Sequence, residues 1–162
     1  MSFALTSDAL RDVALAAIER ARHAGATEAE AEVTQGNGLN VTVRLGDLET
    51  LEHNVDKGLS VTVYVNGRKG NASSGDFSRD AVQAAVDKAV TIARYTSVDP
   101  CAGLADASQM ARDIPDLDLY HPWALTTDEA IDLAKRCEDA GFAVDERIDN
   151  SEGASVSAGA SE

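Results

Sequence analysis

After Gly25 the hydrophobic repeat of this chain changes from every third or fourth residue to every second, and that switch restricts the fold more than any other feature. Residues 7–24 place Leu10, Val13, Ala14, Ala17, Ile18 and Ala21 on one helical stripe. Thr6 or Ser7 can cap that helix, Asp8 complements its first turn, and Gly25 is a left-handed stop. Beyond it, Ala29, Ala31 and Val33 alternate with Glu28, Glu30 and Glu32, the pattern of a strand buried on one side. The alternation returns in Leu39, Val41, Val43 and Leu45, then, after a turn at Gly46-Asp47, in a third segment around Leu48–His53. Leu59, Val61, Val63 and Val65 make a fourth strand. Asn66-Gly67 supplies the positive-φ pair of a type I′ hairpin, so a fifth strand, Arg68–Ser74, is expected to fold back along the fourth. Such short links make the sheet mostly antiparallel.

The helical period then resumes. Ser78 caps a helix to about Arg94 with Val82, Ala85, Val86, Ala89 and Val90 inward. Thr126 and Glu129 form a capping box for another, with Ala130, Leu133, Ala134, Cys137 and Ala140 inward. The stretch from Tyr95 to Trp123 holds all three prolines and no sustained period, which predicts a connector with one short helical turn near Ser108–Arg112. An extended segment is expected from Ile148. The fold class is therefore α+β, a mostly antiparallel sheet of about four to five strands with helices packed on one face. Residues 1–150 are expected to form this domain. Residues 151–162 are expected to start a strand leading into a further domain, or to fray.

Length and composition set the scale. A chain of 162 residues supports one modest core, and with 4% aromatics and a predominance of Ala and Val that core should be lean. A net charge of −14 repels phosphate backbones and anionic lipid, which argues against nucleic acid and membrane surfaces as partners. The N-terminus lacks a basic signal-peptide region, and the apolar run Val13–Ile18 stops at Glu19 and Arg20, so the expected location is the cytoplasm. Cys101 and Cys137 share no motif and are expected to be free thiols.

No stretch presents the spacing of a hydrolytic site. His23, His53 and His121 fall in different elements, with no His pair one helical turn apart and no HExxH. Gly36-Asn37-Gly38 is not followed by a helix, so it reads as a turn rather than a phosphate cradle. Ser73-Ser74-Gly75 lacks the nucleophile-elbow frame. Glu28, Glu30 and Glu32 read as a solvated strand face, and Asp99-Pro100-Cys101-Ala102-Gly103 as a tight turn at a packed joint. The chain is expected to be inactive as an enzyme by itself, with no catalytic, metal or cofactor residue of its own.

Three strings carry a family resemblance: Gly58–Tyr64 continuing through Asn66–Ser74; Ile92–Ser97 followed by Asp99–Leu104; and Pro115–Pro122 with Arg147–Gly153 further on. Together they resemble the TldD/PmbA metallopeptidase family, also described as modulators of DNA gyrase, and the second and third are similar to its PmbA (TldE) branch. Family proteins are much longer, and this chain resembles their N-terminal domain alone. The resemblance implies a TldD-type partner subunit, zinc held on that partner, and unfolded peptide as substrate. It transfers no catalytic or metal residue to any position here. Within the resemblance, the sheet edge is expected to guide an extended peptide by strand addition, with Val61, Val63, Tyr64, Arg68, Arg94 and Tyr95 as candidate peptide or partner contacts. A non-enzymatic strand-addition interaction module is the alternative. An exposed last strand would also favour self-association through its edge.

Overall fold

The computed structural model describes residues 3–162. In chain order the elements are α1 (Ser7–His23), β1 (Glu28–Arg44), β2 (Asp47–Tyr64), β3 (Lys69–Ser74), α2 (Arg79–Tyr95), α3 (Thr127–Phe142) and β4 (Ala154–Ser161). The strands make one antiparallel α+β sheet in the order β3-β2-β1-β4. Among the described residues, no helix is long and apolar enough to cross a membrane.

Five expected strands become three because two of the expected breaks are absent. Gly36-Asn37-Gly38 is not a turn but lies inside β1, and Leu48–His53 runs on without interruption into Leu59–Tyr64 as β2. Inward positions on β1 stay odd-numbered from Ala29 to Val43, so the side-chain alternation never slips phase across the glycines. The first turn is also displaced by one residue. It is built on Leu45 (φ 51°) and Gly46 (φ 80°) rather than on Gly46-Asp47. Asn66 (φ 50°) and Gly67 (φ 74°) form the second turn as expected.

The chain divides into two units. One comprises Ala4–Gln35 and Asp56–Leu117. Its core joins Ala17 and Ala21 of α1, the row Val82, Val86, Ala89, Val90 and Ala93 of α2, and Leu59, Val61, Val63 and Ala72 of the sheet. Alanine dominates the helix faces, so backbones approach closely. A Cβ on Gly70 of β3 would collide with the Ala89 carbonyl oxygen and lie 2.5 Å from the Ala93 nitrogen of α2. Thr6, not Ser7, caps α1, and Ser78 caps α2. The Arg20 guanidinium spans α1 to α2, donating to both carboxylate oxygens of Asp87. In the connector, the helical turn expected near Ser108–Arg112 is absent; a single turn closes instead, with the Gln109 N–H donating to the Asp106 carbonyl.

The other unit contains Gly36–Val55 and Asp118–Glu162. Here Leu39, Val41 and Val43 pack against Ala130 and Ala134 of α3, with Val156 at the margin. β4 pairs with β1 from Gly36↔Ser161 to Val43↔Ala154, so the last stretch of chain is a paired strand that begins at Ala154 rather than at Ile148. The capping box of Thr126 and Glu129 opens α3 as expected. Two of its expected inward residues, Cys137 and Ala140, are exposed. Glu138 is buried in their place.

Candidate functional site

The six contact residues expected from sequence do not form one surface. Val61 and Val63 are fully buried in the core, and β3 already occupies the β2 edge from Leu59 to Tyr64, so neither valine can meet a peptide. Tyr64 is also buried; burial, followed by the carboxylates of Glu30 and Glu28, pushes its phenol above the usual value. Arg68 is half-buried. Arg94 is exposed and donates to the Ala24 carbonyl at 3.1 Å, whereas Tyr95 is 89% exposed. Alternation turns Val61 and Val63 toward the core under the helices, and Thr62 and Tyr64 on the opposite face are buried as well, so this end of β2 is covered on both sides.

The histidines are held separately. His23 Nδ1 lies 2.9 Å from the Glu19 carbonyl oxygen, His53 Nε2 lies 3.4 Å from Thr127 Oγ1, and His121 Nε2 is 3.9 Å from an Asp118 carboxylate oxygen. Among the described residues, no three His, Cys, Asp or Glu side chains are gathered so as to hold a metal ion. Cys101 is exposed in a turn where the Asp99 carboxylate accepts from its N–H and the Asp99 carbonyl accepts from Ala102 N–H. Glu28 is recruited by the connector, accepting from Leu104 N–H at 2.9 Å.

What the structure leaves available is backbone. Among the described residues β3 pairs with β2 only over Leu59–Tyr64, so from Asp47 to Gly58 β1 is the only sheet neighbour of β2. From Asp47 to Lys57 every residue but the half-buried Thr50 is exposed, on both faces of the strand. The side chains include Leu48, Leu51 and Val55 alongside Asp47, Glu49, Glu52 and Asp56. A row of unpaired N–H and C=O groups beside alternating side-chain positions is the chemistry of β-augmentation.

The hairpin tip that begins this stretch is fixed from α3. Both carboxylate oxygens of Glu138 accept backbone hydrogens, from Leu45 N–H at 2.9 Å and Gly46 N–H at 2.8 Å. The Gly46 N–H does most to hold this carboxyl below the usual glutamate range; the Leu45 N–H, the Ser151 hydroxyl and Arg44 act in the same sense, against burial. This clamp stabilises a leucine in the left-handed region, where a side chain is normally disfavoured. Sequence reasoning missed it because α3 and the tip are far apart in the chain, and a glutamate on a helix ordinarily reads as surface.

The sheet, its helices and its sequence together match one known domain type. Residues 29–93 match the family model for PmbA/TldA metallopeptidase domain 1, and the chain belongs to the PmbA/TldD family. It is 50% identical over 127 residues to the metalloprotease PmbA of Escherichia coli O157:H7, covering 78% of this chain and 28% of that protein. It is 47% identical over 146 residues to the PmbA homolog of Haemophilus influenzae, covering 90% of this chain and 32% of that one. The chain thus spans about a third or less of the length of these relatives. Among solved structures, a Bacteroides thetaiotaomicron protein designated a modulator of DNA gyrase aligns with TM-score 0.78 and 27% identity over 97% of this chain and 35% of its own. TldE from Thermococcus kodakarensis shares the fold at TM-score 0.60 and 16% identity, covering 94% of this chain and 33% of that one.

Proposed function

We propose that this chain serves as the N-terminal domain of a PmbA-type subunit that pairs with a TldD-type metallopeptidase subunit and helps present unfolded peptide for cleavage. In this reading zinc and the hydrolytic step reside on the partner, and the work is done in the cytoplasm. Residues 1–150 act as the domain, and residues 151–162, whose β4 strand completes the sheet against β1, lead toward the rest of the subunit. The observation that carries the reading is identity of 47–50% to PmbA proteins over 78–90% of this chain. The open β2 edge supports the peptide-handling part, since extended chains bind sheet edges through main-chain hydrogen bonds.

The test is reconstitution. The isolated chain, a full-length PmbA-type protein containing it, and a TldD-type subunit are purified singly and together, then assayed on an unstructured peptide. The expected result is chelator-sensitive cleavage only where full-length subunit and partner are combined. Cleavage by the isolated chain, with stoichiometric zinc and loss on chelation, would overturn the reading.

A second reading, a non-enzymatic strand-addition module, is favoured by the same open edge. It predicts partner capture by the chain with no TldD-type subunit required, and no dependence on zinc.

A further inference from the structure

The unpaired stretch of β2 has a charge as well as a shape. Asp47, Glu49, Glu52 and Asp56 are all exposed, Glu49 alone among them facing a cation of the sheet, the Arg44 guanidinium at 3.8 Å, and no lysine, arginine or proline occurs between Gly46 and Lys57. Edge strands that remain solitary are usually guarded by charged side chains, lysine above all, by proline, by a bulge or by a covering element. Here the charges are all acidic, which repels a like edge but admits a cationic strand. Neither lysine nor proline guards this one, and Leu48, Leu51 and Val55 stand 45%, 44% and 79% exposed along it. The other unpaired stretches differ. At the two ends of the β1 stretch, Glu28 bonds to Leu104 N–H, and Gln35 bonds to both the N–H and the C=O of Leu5. β4 carries no charged side chain at all.

We propose that the Asp47–Asp56 edge of β2 accepts an extended, Lys/Arg-bearing polypeptide segment as an added strand. Its backbone pairs with β2, its cations lie over the four carboxylates, and its apolar side chains rest beside Leu51 and Val55 on one face and Leu48 on the other. Side chains alternate across a strand, so a single added segment reaches both faces. A second copy of this chain is a poor occupant, because an antiparallel pair of these edges would set four carboxylates against four; like charges across a strand pair repel. The inference deepens the function proposed above and rests on it in one respect, that extended peptide is the ligand. Binding itself requires neither catalysis nor a partner subunit.

The experiment uses the purified chain and three labelled peptides of one extended sequence that differ only in carrying Lys, Gln or Glu at alternate positions. Fluorescence anisotropy should give the Lys peptide about tenfold tighter binding than the Gln peptide, no measurable binding of the Glu peptide, and weakening with added salt. Amide exchange should slow within Asp47–Gly58 when the Lys peptide binds. Glu52→Lys/Asp56→Lys leaves two carboxylates against two ammonium groups and, with its fold checked by circular dichroism, should erase the preference for the Lys peptide. Methylating the peptide's backbone nitrogens should abolish binding. Equal binding of all three peptides, protection confined to other strands, or undiminished binding of the methylated peptide would each overturn the inference. So would a dimer, seen by light scattering, that the double variant dissolves while no peptide binds. If no peptide binds yet the reconstituted complex cleaves, this inference fails and the proposed function stands. If the Lys peptide binds as expected and no chelator-sensitive cleavage follows reconstitution, the reverse holds.

Discussion

The two halves of β2 share one backbone and very different surroundings. From Leu59 to Tyr64 the strand has β3 along its edge, and Leu59, Val61, Val63 and even Tyr64 are buried. From Asp47 to Val55 it has, among the described residues, one sheet neighbour, a free edge and no buried side chain, although leucine and valine recur there. The contrast separates two uses of the same alternating pattern. Where helices and a third strand cover it, alternation makes core; where they do not, it leaves a surface with apolar, acidic and main-chain elements side by side.

Substitutions can break this contrast, and the largest effect is expected at the covered end. Gly70→Ala inserts a methyl group into the contact between β3 and the α2 backbone, where neither partner is a flexible side chain. It should destabilise the chain by about 3 kcal/mol or more, read as a lowered urea midpoint. Val61→Ala should cost roughly 2–3 kcal/mol by deleting fully buried methyl groups, while Val55→Ala on the same strand should change stability by less than about 0.5 kcal/mol. Equal losses at Val61 and Val55 would show that the open half is covered in solution.

Smaller effects sharpen the comparison at the hairpin tip. Glu138→Gln should lower the urea midpoint at neutral pH and speed amide exchange at Leu45 and Gly46, because a neutral amide offers one acceptor oxygen where the carboxylate offers two. The folded-state pKa of Glu138 lies below its ordinary value, so the carboxylate's contribution is present above that ordinary value and is lost as pH falls through the folded pKa. The gap between wild type and Glu138→Gln should therefore narrow on acidification; a gap independent of pH would contradict the clamp. Smallest of all, the Arg147 guanidinium beside Asp145 holds that carboxyl to about 2. Arg147→Ala should return it toward 3.8 in an NMR titration. Global stability should barely move, since both groups lie near the surface.

Much of the fold was legible in the residues. Apolar periods located all three helices, Asn66-Gly67 fixed the second hairpin, and Thr126 with Glu129 marked the start of α3. Gly36 and Gly38 suggest a turn where the chain makes none; the unbroken odd-numbered phase from Ala29 to Val43 is the better guide to one long strand. Helical spacing pointed to Cys137 as an inward residue; Glu138 took that role because the hairpin tip presents two N–H groups there, a requirement set by a remote part of the chain. The open edge was hidden for a related reason. Its extent depends on where β3 ends against β2, and registers between strands are set by tertiary packing as well as local pattern.

Residue-resolved amide exchange on the free monomeric chain tests the two-regime account of β2 most directly. Slow exchange through Leu59–Tyr64, with fast exchange at those amides of Asp47–Gly58 that face away from β1, is the predicted outcome. Uniformly slow exchange along the whole of Asp47–Tyr64 would mean that the edge is already occupied, and would contradict the account.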